Sequence, residues 1–331
     1  MEETIKNFAK QFAYEPTIIN PEKLGSYEKF ILVGMGGSHL PGGLIKTFDP
    51  TVDLYIHRDY GLPRLPEYFL KESLVILSSY SGNTEEVLEA GVEALKENLA
   101  VAVMTSGGAL LEFAQKNGLP HIIFPEATIQ PRAAIGYTTV GLATFLGRAD
   151  ILLGIREVVV TSDAEGLGKD LALKLSNKIP VIYASRENIA IAYNWKIKLN
   201  ETGKVPAFYN VFPELNHNEL EGYDITVSFA PILTNLHPIF LTDGGDHPQI
   251  KKRMQVMKEI LDSRGVVTSE FSLTSTDQIE LSIYQKVFRA LLVADWIAVS
   301  LARGYGSDPE QVALIEDFKK KIKGGENLET K

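Results

Sequence analysis

The stretch Lys29-Phe-Ile-Leu-Val-Gly-Met-Gly-Gly-Ser38 runs from an unbroken apolar segment straight into a glycine/serine turn. A short continuous apolar run closed by glycine reads as a strand buried on both faces, as in parallel sheets covered by helices. The same succession recurs in Leu74-Val-Ile-Leu-Ser-Ser-Tyr-Ser-Gly-Asn-Thr84, where an apolar run enters a hydroxyl-rich turn ahead of a helical pattern. Residues 52–57, 100–104 and 121–124 are further strand candidates, and helical patterns fit residues 84–97 and 109–116. Alternation of this kind predicts an open, doubly wound α/β sheet whose ligand sites lie beyond the carboxyl ends of the strands.

Working outward, residues 131–153 read as one long helix after a first-turn proline. The pattern then restarts. Residues 164–175 read as helix, 179–183 as strand, and Ala184-Ser-Arg-Glu-Asn188 as a polar turn placed like Gly36 to Ser38. Later strands are expected at 224–229, 238–242 and 266–271, and helices at 249–263 and 277–302. A closing amphipathic helix is expected over 308–323, started by Ser307-Asp-Pro-Glu310. The chain therefore divides into two similar units, 1–153 and 154–331, as its length of 331 residues leads one to expect.

Composition narrows the chemistry. Without cysteine, disulfides, zinc–thiolate sites, iron–sulfur clusters and thiol nucleophiles are excluded. A net charge of −9 argues against nucleic acid as a partner, so an anionic ligand must be caught by local dipoles and a few cations. No apolar run approaches the roughly 20 residues of a membrane span, and Met1-Glu-Glu-Thr-Ile-Lys6 opens no secretory h-region. The expected location is the cytoplasm.

The turns suggest what is bound. Gly34-Met-Gly-Gly-Ser-His39 begins like a dinucleotide fingerprint but puts His39 where its third glycine belongs, and Ser38 suits a compact anion. A plain packing turn is the alternative. Ser79, Ser81, Asn83 and Thr84 supply more polar groups than a helix cap needs, and no G-K-[ST] follows, so the anion expected is a monophosphate. For chemistry the candidates are Glu201 at a helix end, His217 among acidic residues, Arg132 beside Pro131, and Lys286 in a helix. Each, taken alone, also fits a structural role: a solvated helix end, a turn, an ion pair or a solvated face. Glu214 with His217, or Asp243 with Asp246 and His247, could be half of a metal site, but turn and cap roles explain them more cheaply. No metal is expected.

Together, Gly36-Gly-Ser38, Ser79-Tyr-Ser-Gly-Asn-Thr84, Pro131-Arg132, Asn200-Glu-Thr202, Glu214-Leu-Asn-His217 and Lys286 resemble the sugar isomerase (SIS) domain superfamily, and within it the bifunctional phosphoglucose/phosphomannose isomerases. The resemblance implies two flavodoxin-like SIS domains covering nearly the whole chain. It implies that Gly37, Ser38, Ser79, Ser81 and Thr84 hold a sugar phosphate and that Glu201 moves a proton between C1 and C2. Arg132 would steady the enediolate, and His217 and Lys286 would attend ring opening, His217 reaching across a homodimer interface. No cofactor is implied. An apolar residue near Ile279, where single-function relatives carry glutamine, would admit mannose 6-phosphate as well as glucose 6-phosphate.

Two other readings compete. One is an isomerase of amino-sugar phosphates, without the N-terminal cysteine that amide-driven synthesis requires. The other is a non-catalytic sugar-phosphate sensor, in which Glu201, His217 and Lys286 would have no purpose.

Overall fold

The computed structural model describes residues 1–125, 129–159, 163–224, 230–274 and 281–324. The first sheet contains β1 (Lys29–Gly34), β2 (Asp53–His57), β3 (Ser73–Ser79), β4 (Ala100–Thr105) and β5 (His121–Ile123) in the order β2-β1-β3-β4-β5. The second contains β6 (Ile179–Ser185), β7 (Phe208–Phe212), β8 (Leu236–Thr242) and β9 (Ser269–Ser272) in the order β7-β6-β8-β9. Every strand pair is parallel. The second order repeats the first four strands of the first, which gives the expected internal repetition a structural basis. In both sheets the order reverses direction beside the opening strand, where a doubly wound sheet leaves its crevice.

The apolar runs become central strands because helices cover both faces. Ile31, Val33, Val75, Leu77, Val101 and Val103 face helices Glu85–Lys96 and Gly108–Lys116 through Val87, Ala90 and Leu110. Their sequence neighbours Phe30, Leu32, Leu74, Ile76, Ala102 and Met104 belong to the other face, with Leu44, Val140 and Leu142 from helices Leu40–Phe48 and Ile135–Phe145. This is the two-residue period of a strand packed on both sides. The second cluster is continuous through the molecule and includes Ile182, Trp195, Phe288 and Leu291 of the second half. The long helix Ile283–Gly304 is central to it, with Phe288 receiving the rings of Phe8 and Phe12 from the N-terminal segment.

Several expectations change. The helix expected over 131–153 is broken into a 3-10 turn Pro131–Ala133, helix Ile135–Phe145 and helix Ala149–Arg156. Gly147, at φ +66°, takes the left-handed conformation that ends a helix. The position between 153 and 154 falls inside Ala149–Arg156. The last helix begins at Ala313, not 308, because residues 308–312 form a non-helical strap whose carbonyls serve cations of the site. Strand β7 was not expected from the sequence. Of the strand expected at 224–229, residues 225–229 lie outside the described residues, as do Gln278 and Ile279. No helix among the described residues is long and apolar enough to cross a membrane.

Candidate active site

The register Gly34↔Ser78 sets the turns after β1 and β3 side by side at the carboxyl edge of the first sheet. Hydrogen bonds join them: Ser78 Oγ donates to the Ser38 carbonyl and Tyr80 N–H donates to Ser38 Oγ, both at 2.9 Å. Ser79 Oγ and Thr84 Oγ1 are 2.7 Å apart, and Gly82 N–H donates to Ser79 Oγ at 3.1 Å. A Cβ on Gly82 would stand 1.7 Å from the Gly107 carbonyl oxygen, and φ there is +72°, so only glycine fits. Thr84 occupies the N-cap position of Glu85–Lys96 but its side chain caps no backbone N–H. The adjoining turns thus gather the hydroxyls of Ser38, Ser79, Ser81 and Thr84 ahead of the first-turn amides of Glu85–Lys96, a candidate cradle for an anion.

Gly37 ties this cradle to the candidate catalytic group. A Cβ there would lie 2.7 Å from both Arg132 N and Pro131 C, so the two backbones are in direct contact. Arg132 is only 1% exposed, and its guanidinium is held from every side. Nε donates to Thr202 Oγ1 at 2.6 Å, Nη1 to Gln130 Oε1 at 3.2 Å and to Glu201 Oε2 at 3.4 Å. Nη2 donates to the carbonyls of Pro309 at 2.9 Å and Glu310 at 3.3 Å. Burial pulls the guanidinium below its usual pKa, while the charges of Glu201 and Asp295 work the other way; arginine remains a cation throughout.

Glu201 is the last residue of helix Ile189–Glu201, and its side chain is a quarter exposed at 25%. It lines a cleft of about 620 Å³ with Lys204, Asp308, Gln311 and Leu314. Lys204 stands at φ +59° and donates to the carbonyls of Glu201 and Gln311, linking the helix end to the strap. Burial lowers its pKa, and the charge of Arg132 adds to that. Beneath the arginine, Lys198 Nζ pairs with Asp295 Oδ1 at 2.6 Å, both fully buried, and lies 3.4 Å from the Arg132 carbonyl.

The structure therefore brings Gly37, Ser38, Ser79, Ser81 and Thr84 into one cradle, and joins Arg132 and Glu201 beside it. It does not bring His217 or Lys286 to that pair within one chain. His217 is exposed at the end of the 3-10 turn Glu214–His217 and makes no hydrogen bond or ion pair among the described residues. The Lys286 ammonium pairs with Asp243 beyond the end of β8, where Asn188 Nδ2 also reaches Asp243 Oδ2 at 3.0 Å. The acidic and histidine clusters have local duties: Glu214 accepts from Asn218, and His247 Nδ1 accepts from Gln249 N–H to cap helix Pro248–Ser263. Sequence reasoning assigned no role to Thr202 or Lys204 and missed the strap and the Lys198–Asp295 pair. Only the last had a legible signal, Asp295 standing in the otherwise apolar Leu291-Leu-Val-Ala-Asp-Trp-Ile297.

Comparison with known proteins places the chain in a family. Residues 164–322 match the family model described as the bacterial phospho-glucose isomerase C-terminal SIS domain. A bifunctional phosphoglucose/phosphomannose isomerase of Caldicellulosiruptor bescii is 34% identical over 97% of this chain and 98% of its own length. One of Aquifex aeolicus is 32% identical over 96% and 97%. In three dimensions a putative phosphosugar isomerase of Clostridium difficile 630 superposes with a TM-score of 0.67 at 17% identity, covering 98% of this chain and 94% of that one. A similarity at that identity speaks to the fold, while the full-length sequence matches speak to kinship: the chain belongs to the bifunctional phosphoglucose/phosphomannose isomerase family of SIS-domain proteins.

Proposed function

We propose that the protein interconverts glucose 6-phosphate, and mannose 6-phosphate, with fructose 6-phosphate by moving a proton between C1 and C2. The observation that carries this reading is the pairing of a part-exposed carboxylate, Glu201, with a buried guanidinium, Arg132, next to a hydroxyl and amide cradle. In this reading Ser38, Ser79, Ser81 and Thr84 hold the phosphate, and binding energy at that remote end fixes the carbons against the base. Glu201 takes the proton from one carbon and returns it to the other through a cis-enediol. Arg132 faces the oxygen on which negative charge develops, and it arrives there already oriented by its other hydrogen bonds, so little reorganisation accompanies the reaction.

Ring opening falls to His217 and Lys286 in the same reading, with His217 supplied by a second copy of the chain in a homodimer. The family resemblance supports this part; within one chain Lys286 is occupied by Asp243. The division into two SIS units near residue 153, a cytoplasmic location and independence from any cofactor complete the proposal.

Replacement of Glu201 by Gln tests it. Turnover of glucose 6-phosphate should fall by about 10²- to 10⁴-fold, the usual contribution of a general base, while binding of inorganic phosphate measured by calorimetry stays. Turnover that persists would remove Glu201 from the role. A coupled assay run on both aldose phosphates then decides the dual specificity: no product from mannose 6-phosphate would confine the enzyme to glucose 6-phosphate.

A further inference from the structure

Lys198 and Asp295 form an ion pair inside the apolar core, with Nζ 2.6 Å from Oδ1 and side chains only 0% and 3% exposed. Asp295 stands on helix Ile283–Gly304 between the buried runs Leu291–Ala294 and Trp296–Val299, and Lys198 belongs to helix Ile189–Glu201. Taking an ammonium and a carboxylate out of water is expensive, and apolar residues of similar volume often serve a fold as well or better. Stability therefore gives little reason for such a pair, and the reason has to come from what it touches.

It touches the candidate catalytic pair. Lys198 Nζ also donates to the Arg132 carbonyl at 3.4 Å. Arg132 sits in the 3-10 turn Pro131–Ala133, whose three residues are too few for a helical ladder to hold. The turn is tied from outside instead, by Lys198 at Arg132 and by Gln11 Nε2, which donates to the Ala133 carbonyl at 2.8 Å. The carbonyl of Lys198 accepts from the N–H groups of Thr202 at 2.9 Å and Gly203 at 3.1 Å. Thr202 Oγ1 is the partner of Arg132 Nε. One lysine thus bonds the backbone of Arg132 through its ammonium and, through its carbonyl, the residue whose hydroxyl aims the guanidinium. Glu201 follows three residues later on the same helix, where i and i+3 are surface neighbours. The charges balance, Arg132 and Lys198 against Glu201 and Asp295, and the charge of Asp295 joins that of Glu201 in favouring the ionised guanidinium.

We infer that Lys198 and Asp295 are positioning residues for Arg132 in the isomerisation proposed above, on which this inference rests. Asp295 anchors the ammonium, the ammonium holds the Arg132 backbone against the end of helix Ile189–Glu201, and the placing of guanidinium against carboxylate follows. Neither residue lines the Glu201 cleft. They act through the arginine and not on the substrate.

Lys198→Met with Asp295→Val, an apolar pair of similar volume, tests the assignment by steady-state kinetics on fructose 6-phosphate. The expected result is a melting temperature kept or raised, with kcat lowered about tenfold and KM changed less than about twofold. In an Arg132→Lys background the same swap should lower kcat by less than about twofold, because residues that act through one group are not additive. Full kcat in the swap variant would overturn the inference. So would an equal loss in both backgrounds, which would mark a general disturbance and not a misplaced arginine. Lys198→Gln with Asp295→Asn, a neutral hydrogen-bonding pair of shorter reach, carries the same expectation where the apolar pair does not fold. Failure of both pairs to fold would overturn the inference by assigning Lys198 and Asp295 to the fold. Undiminished kcat in Arg132→Lys alone is a separate failure, since it would overturn the reading of Arg132 on which the inference rests.

Discussion

Arg132 Nη1 lies 3.4 Å from Glu201 Oε2, and the two partners are held in opposite ways. The guanidinium is buried and bonded to Thr202, Gln130, Pro309 and Glu310 as well, whereas the carboxylate keeps a solvent-facing side. In the proposed reaction, a fixed cation beside an accessible carboxylate would let the base exchange protons while the charge that stabilises the product of that exchange stays in place.

Arg132→Lys should therefore be far from conservative. Lysine cannot reach Thr202, Glu201 and two strap carbonyls together, because it offers a single ammonium in place of a planar fork. The expected loss is about 10²-fold or more in kcat, the scale seen when one preorganised donor is removed, with KM changed much less. Steady-state kinetics on fructose 6-phosphate would check it, and a loss confined to KM would contradict it.

Gly37→Ala should damage both ends of the site at once. Its Cβ meets backbone, not a flexible side chain, at 2.7 Å, so the cradle or the Pro131–Ala133 turn must move. An ångström of misplacement costs about 10²-fold in rate, with weaker phosphate binding alongside. Gly36→Ala is the control: φ is +52° but nothing lies within 4 Å, so it should cost about 1 kcal/mol of stability with activity kept. Melting curves and kinetics on the two variants separate strain from collision.

Lys204 tests the strap. Asn tolerates the left-handed backbone that Lys204 adopts at φ +59°, so Lys204→Asn removes the ammonium without adding strain. With the link from Glu201 to Gln311 gone, kcat/KM should drop by about tenfold, the worth of one hydrogen bond to a charged group. An unchanged rate would show that Arg132 alone holds the strap.

Acid should destabilise the fold through two histidines. Burial lowers His39, together with the charge of Arg58, and lowers His237, together with Lys178 and Lys174, each from 6.5 to about 4. In that window the unfolded chain binds protons that the folded chain refuses, so stability is highest above about pH 6.5 and declines as pH falls toward 4. For His39 the loss is on the order of 3 kcal/mol across the window. Urea unfolding at pH 7 and pH 5 should show this decline, and His39→Gln should flatten it.

The central strands β1, β3, β4, β6 and β8 were legible in the sequence because they are largely buried on both faces and so contain short apolar runs. Strand β7 escaped because it is an edge: Phe208 and Tyr209 are exposed or half-buried, and Phe208-Tyr-Asn-Val-Phe212 carries no continuous apolar signal. The break at Gly147 escaped because a lone glycine is tolerated within a helical pattern, although Arg148 and Asp150 directly after it interrupt the apolar run. In the site, Arg132, Glu201 and the serine turn could be named from local motifs. The strap could not, since it acts through the carbonyls of Pro309, Glu310 and Gln311, and a carbonyl is common to every residue type.

That strap also sets an order of events. Two of the acceptors that satisfy the Arg132 guanidinium are contributed by residues 309 and 310, some 177 positions further along the chain. During synthesis the first sheet and the serine turn can form while much of the protein is still unmade, but the buried cation has its full set of acceptors only after residue 310 has been added. The final setting of the Arg132–Glu201 pair is thus a late step, and a nascent chain halted before residue 309 would carry the candidate cradle without the acceptors that hold the arginine in place.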